Sequence, residues 1–239
     1  MTMERWCIYI DMEGFRALYS KEDQILWSLG EMMLAIFRIG TRVYPSDPDR
    51  LFVYQTGDGF VVQSDFHESS PLRAISIAVV ILRHVASTGR YARAAISEGD
   101  IADIVGCYPK EVSDAQNENR VVPLGMGLMT LFPVMGTGLI RSVGVNNVGP
   151  RGPLLLLDPR FRTRLPKSVP AQLTDKDDHA PLSVDWVHIN LPLACSIQAQ
   201  AGLPLVPPEE MEKKLIKYCR QYTREDWVSS VERFLQIKF

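Results

Sequence analysis

The chain lacks any close cysteine pair. Cys7, Cys107, Cys195 and Cys219 are scattered and none belongs to a Cys-x-x-Cys unit. Neither a zinc ribbon nor a disulfide framework is implied, and the thiols read as buried or idle in a reducing cytosol. No apolar run approaches the ~20 residues of a membrane helix. The stretch at residues 6–10 is too short for a signal-peptide core. The expectation is a cytoplasmic chain with no membrane insertion. A charge excess is also missing: 26 Lys+Arg stand against 28 Asp+Glu, for a net charge of −2. Nucleic acid and anionic membranes are therefore not expected as partners, and an anionic substrate would need locally placed positive charge. There is no internal repeat or low-complexity tract. With 46% hydrophobic and 23% charged residues, the 239-residue chain has the proportions of an ordinary globular protein, which excludes disorder, collagen and coiled coil.

Trp6-Cys7-Ile8-Tyr9-Ile10 reads as a buried strand with Asp11 at its C-terminal edge. Apolar residues at helical spacing predict a helix over residues 22–43, stopped by Pro45 and Pro48. Two β-rich runs, 51–54 and 60–62, flank Thr56-Gly57-Asp58-Gly59, where Asp-Gly signals a hairpin. A helix at 71–86 and a strand at 90–98 follow, with 101–105 as a return strand. The order β-α-β-β-α-β defines an α+β class of ferredoxin-like arrangement, an antiparallel sheet with helices on one face. Beyond Gly106 the pattern weakens. Residues 110–120 read as a surface loop, 138–143 as a helix after a short strand, and 153–157 as a buried strand ending at Asp158. Residues 166–208 read as an irregular excursion whose only strand-like piece is 186–191, before amphipathic helices at 209–222 and 224–237. The division expected is 1–165 as the catalytic domain, with 166–239 packing on it.

The split βαβ order brings Asp11 and Asp58 to one sheet edge. Two carboxylates there suit hard cations such as Mg2+ or Mn2+, and paired metals serve phosphoryl transfer. The turn after Asp11, including Gly14 and Phe15, could offer N–H groups to a triphosphate.

These residues carry a resemblance to the catalytic domain of class III nucleotide cyclases. Tyr9-Ile10-Asp11-Met12-Glu13-Gly14-Phe15 resembles the first metal motif of that family. Thr56-Gly57-Asp58-Gly59-Phe60 resembles its second, and Arg93-Ala94-Ala95-Ile96-Ser97-Glu98-Gly99 its Arg-x-x-Ile-x-x-Gly strand. Gly136-Thr137-Gly138-Leu139-Ile140-Arg141-Ser142 is more loosely similar to the start of the catalytic helix. The resemblance implies two Mn2+ or Mg2+ ions on Asp11 and Asp58 with the Met12 carbonyl as a further ligand. It also implies a triphosphate on Arg93 and a homodimer with sites at its interface.

The departures narrow the reading. Tyr54 stands where the family places the purine-reading lysine or glutamate, and Pro133 where it places a second base-reading polar residue. The full pattern looks like the pyrimidine cyclases of the bacterial Pycsar anti-phage system, most like the uridylate cyclases. That resemblance implies UTP as substrate, Tyr54 against the base, and cyclic UMP as messenger for a separate effector. The transition-state asparagine and arginine of the family fall on Ile140 and Gly144, neither of which can hydrogen-bond a phosphate through its side chain, so Arg141 is the candidate cation. CTP as substrate, a silent nucleotide-binding pseudo-cyclase and an inert interaction module are the alternatives.

Overall fold

The structure is a computed structural model that describes residues 4–13, 22–64, 67–117, 121–221 and 225–239. Its first half follows the expected order: β1 (Arg5–Met12), α1 (Glu22–Arg42), β2 (Leu51–Thr56), β3 (Gly59–Ser64), α2 (Leu72–Ser87) and β4 (Ala92–Gly99). These strands lie in the spatial order β4-β1-β3-β2, with β1 antiparallel to both neighbours. The sheet continues past β4 through β9 (Leu155–Leu157), β11 (Leu182–Val184) and β10 (Ala171–Leu173), giving seven strands in one mixed sheet.

Side chains alternate across a strand, and β1 shows what each face does. Trp6, Ile8, Ile10 and Met12 join the large apolar core that also takes in α1 and α2. Cys7, Tyr9 and Asp11 point the other way, toward α4 (Thr137–Val148), where the Cys7 thiol lies 3.5 Å from the Ser142 hydroxyl. Helix α4 is seated directly on β4. The Ser97 hydroxyl donates to the Gly138 carbonyl at 2.7 Å, and a Cβ at Gly99 would collide with the Gly138 nitrogen.

The later chain departs from expectation where its elements are short or polar. Residues 101–105 form only a two-residue strand, β5 (Ala102–Asp103), which leaves the main sheet to pair with β8 (Val134–Met135). The expected surface loop contains α3 (Lys110–Ala115), none of whose residues is buried, so it shows no apolar periodicity. Between them β6 (Val121–Leu124) and β7 (Gly127–Thr130) form a hairpin turned at Gly125, whose φ of +63° suits glycine. Helix α4 runs five residues beyond the 138–143 expectation. The stretch 166–208 holds β10, β11 and α5 (Pro192–Ala201), whereas 186–191 is not a strand. There Arg83 donates to the carbonyls of Trp186, Val187 and Ile189, and the Trp186 indole donates to the Pro153 carbonyl. Side-chain donors replace a ladder. The chain closes with α6 (Pro208–Gln221) and α7 (Glu225–Phe234), each burying one face in the same core. The sheet therefore runs unbroken across residue 165.

His84 of α2 is buried, with Nε2 3.0 Å from Glu31 of α1 and Nδ1 without a partner among the described residues. Burial pulls its pKa below the ordinary value, against the pull of Glu31. The unfolded state thus binds more protons below about pH 6.5, so the contribution is complete above that pH and is lost as pH falls. Thermal melts of wild type and His84→Gln should converge on going from pH 7.5 to 5.5, the wild type losing more. Parallel pH curves would show that His84 does not titrate on unfolding.

Candidate active site

The site is set by strand register. Asp11 sits opposite Gly59 of β3 on one side and Arg93 of β4 on the other, and Gly59 is opposite Thr56 of β2. The row Thr56–Gly59–Asp11–Arg93 therefore crosses four strands at one edge. A Cβ at Gly59 would stand 2.5 Å from the Ile10 carbonyl oxygen and 2.9 Å from the Asp11 Cβ, so only glycine fits beside Asp11. This shifts the hairpin from its expected form. Its two loop residues are Gly57, with φ +65°, and Asp58, rather than Asp58 and Gly59, and glycine at the first loop position marks a type II′ turn. The Met12 N–H donates to the Asp58 carbonyl at 3.3 Å, holding the turn against the end of β1.

The two expected carboxylates are thus brought together. Burial and then the charge of Asp58 push the Asp11 carboxyl up to about 6, against Arg93. Tyr9 lies on the same face, and its phenol is pushed up to about 12 by burial and then by the charges of Asp11 and Asp58. Asp11 Oδ1 and Thr56 Oγ1 are both buried without a hydrogen-bond partner among the described residues. Orphaned acceptor oxygens are costly unless something fills them. Two carboxylates with an acceptor left open fit a divalent cation bound through oxygen. No cluster of three or more His, Cys, Asp or Glu surrounds the place among the described residues. Ligand oxygens and water would complete the shell, as is usual for Mg2+.

A second group was hidden from the sequence. Glu13 is largely buried, and burial pushes its carboxyl up to about 7 even though Arg93 opposes the shift. Arg93 is itself buried. Its Nε donates to Asn146 Oδ1 at 2.7 Å, one Nη to the Asn146 carbonyl at 2.6 Å and the other to the Pro150 carbonyl, while Glu13 lies 3.9 Å away. Arg93 is beside Asp11, as the resemblance implies, but it directs its donors into the end of α4. Arg151, exposed just past α4, acts electrostatically on Asp11, Glu13 and Arg93. The sequence signals for these residues were thin: Glu13 lies two residues after Asp11, and Asn146 lies beyond the expected end of the helix.

Tyr54 is opposite Val61, which is opposite Tyr9, so it shares the face of Asp11 two strands away, or about 10 Å. Its ring packs edge-on against Phe132 at 5.1 Å. Arg141 is not brought to this edge of its own chain. It donates to Glu4 Oε1 at 3.2 Å and to the Glu98 carbonyl at 3.0 Å, near the opposite end of β1, about 20 Å from Asp11. A helix turns about 100° per residue, and the next position after exposed Ile140 faces β4 rather than open space. Gly14 and Phe15 lie outside the described residues.

No family model matches the chain, and no curated protein matches it. Solved structures do. The adenylyl cyclase CyaB from P. aeruginosa aligns with a TM-score of 0.46 at 11% identity, over 77% of this chain and 93% of that one. A bacterial light-regulated adenylyl cyclase aligns with a TM-score of 0.46 at 9% identity, over 84% of this chain and 58% of that one. A class III adenylyl cyclase-like ATP-binding protein from Pseudomonas aeruginosa aligns at 0.43 and 12% identity, over 82% and 40%. The chain is similar to these cyclase domains in arrangement, while its α+β class rests on the strand order and register themselves. Among the described residues no helix is long and apolar enough to cross a membrane.

Proposed function

We propose that this chain is a nucleotide cyclase that closes UTP to 3′,5′-cyclic UMP and pyrophosphate, supplying a messenger for an effector of anti-phage defence. The observation that carries the reading is the Asp11/Asp58 pair at one sheet edge, with a buried Asp11 oxygen that has no hydrogen-bond partner among the described residues. In the reaction the ribose 3′-oxygen attacks the α-phosphorus. The bond from that phosphorus to the bridging oxygen of pyrophosphate breaks, and the hydroxyl proton passes to water. Two bound Mn2+ or Mg2+ ions would lower the pKa of that hydroxyl and neutralise charge on the phosphates.

The chain's own residues do the rest. Asp11 and Asp58 would hold the cations, with the Met12 carbonyl as a further ligand. Arg93 is a positioning residue: it fixes Glu13 and the end of α4, and its charge keeps the carboxylate edge from accumulating uncompensated negative charge. Exposed Arg151 is, among the described residues, a cation placed to meet a triphosphate, and Gly14 and Phe15 would supply a second contact. Tyr54 offers a hydroxyl able to donate or accept at a pyrimidine edge, and Phe132 holds its ring. The homodimer is supported by the β6–β7 hairpin, where Leu124, Met126 and Leu128 project into solvent with Met126 fully exposed. Arg141, remote from its own Asp11, could serve only a partner's site.

A second reading has its own observation. Ile140 is exposed and Gly144 faces open space, so neither supplies the phosphate contact expected of that helix. A nucleotide-binding pseudo-cyclase would show this pattern.

Incubation with ATP, GTP, CTP and UTP in Mn2+, with products identified by mass, tests both. Cyclic UMP should dominate, and Tyr54→Ala should cut the preference for UTP over the purines by about tenfold, the scale of one lost hydrogen bond. Cyclic CMP would overturn the base assignment alone. Nucleotide binding without any cyclic product would replace the enzyme by the sensor.

A further inference from the structure

Helix α1 is apolar on both sides. Met32, Ala35, Ile36 and Ile39 are buried in the core, yet Leu26, Trp27, Met33 and Phe37 leave 59, 56, 45 and 63% of their surfaces exposed. Monomeric proteins rarely expose a contiguous apolar patch of more than a few hundred Å². The outward positions follow a rule. Leu26, Gly30, Met33, Phe37 and Gly40 are spaced 4-3-4-3, the seam of a helix that meets another helix. A Cβ built on Gly30 or Gly40 would meet nothing within 4 Å, so each glycine is a notch in the seam that is open to the outside.

We propose that this face binds the same face of a second copy of the chain, with the two α1 helices antiparallel about a two-fold axis at Met33. In that arrangement Leu26 is level with Gly40 and Met33 with its own copy, while Phe37 is level with Leu29 and lies one residue's rise, about 1.5 Å, from the Gly30 notch. Leu26 and Phe37 each come against a notch, which is the self-complementarity that an isologous contact requires. The area suffices: with aromatic rings of about 150–250 Å², the four exposed side chains bring about 1,000 Å² into a pair, the floor for a specific interface. No charge is desolvated, because neither the seam nor the flanking Leu29, Leu34 and Ile36 carries one. A lipid surface fits less well. A helix lying on a membrane needs basic residues along its polar side, and here Arg38 and Arg42 are committed to the carbonyls of Gly202 and Ala201. The contact is separate from the β6–β7 hairpin and does not depend on the cyclase reading.

The mass of the full chain in solution, measured by sedimentation equilibrium, tests it. Met33→Glu should halve the wild-type mass, as should Met33→Lys, and mixing the two variants should restore it. With exposed Cys107 and Cys195 changed to serine, Met33→Cys should cross-link chain to chain under mild oxidation, and this holds the test if a charged variant fails to fold. Met126→Glu addresses the hairpin contact separately, so failure of one contact leaves the other readable. A wild-type mass unmoved by both charged variants would overturn the proposal. So would absence of the cross-link, or a face that instead sediments the chain with anionic vesicles and loses this with Met33→Glu.

Discussion

Asp58→Ala is expected to lower cyclic UMP formation about 1,000-fold or more while leaving the thermal midpoint almost unchanged. The first half of the expectation comes from the edge it shares with Asp11. A carboxylate that holds a cation on a transferring phosphoryl group accounts for several kcal/mol of transition-state stabilisation, and each 1.36 kcal/mol is tenfold in rate. The second half comes from the turn. Asp58 occupies the second loop position at an ordinary negative φ, and Gly57 takes the left-handed one, so alanine meets no backbone strain. The contact that ties the turn to β1 runs from the Met12 N–H to the Asp58 carbonyl and survives the substitution. Steady-state turnover in Mn2+ beside a thermal melt reads both halves. Turnover within about tenfold of wild type would remove Asp58 from the cation site, since one such lost contact costs more than 1.4 kcal/mol.

The carboxylate pair was legible because hairpin chemistry and apolar alternation are local signals, and β1, β3 and β4 each bury long apolar runs. Local signals also gave α1 and α2. What stayed hidden depends on register and on reach. Tyr54 joins the face of Asp11 only because Val61 lies opposite both Tyr54 and Tyr9. The row could not be counted while the hairpin was centred one residue late. The group of Glu13, Arg93, Asn146 and Arg151 spans 139 residues of sequence and forms only if α4 extends to Val148. Its polar residues break the apolar rhythm that would announce that length. β10 and β11 are three residues each, too short to show a period; β11 is a strand because Leu155–Leu157 offers an edge to pair with, and β10 because β11 then offers its own. Arg141 stands one helical step past exposed Ile140. At that spacing a side chain turns from open surface to the β4 backbone, where the Glu98 carbonyl takes it.

Arg93→Met should cost more stability than any surface change at the site, about 3–5 kcal/mol, the usual result of removing one partner from a buried ionic group. For a chain of this size that is a fall of about 10 °C in midpoint. Three acceptors lose their donor at once: the Asn146 side chain, the Asn146 carbonyl and the Pro150 carbonyl. Each is then left to be satisfied by water that must penetrate the end of α4. Methionine fills part of the volume, so the loss reports the missing donors rather than a cavity. There is little freedom to compensate, because a Cβ at Gly149 would already stand 2.9 Å from the guanidinium, so the surrounding backbone is fitted to Arg93. Arg93→Lys separates charge from geometry. It restores the cation opposite Glu13 and Asp11 but cannot serve three acceptors set for a planar fork, so it should recover only a minor part of the midpoint. Full recovery by lysine would mean that charge alone seats α4 against the site. A midpoint within about 2 °C of wild type for Arg93→Met would mean that the site edge is held by the sheet without it, since 1 kcal/mol moves a chain of this size by about that much.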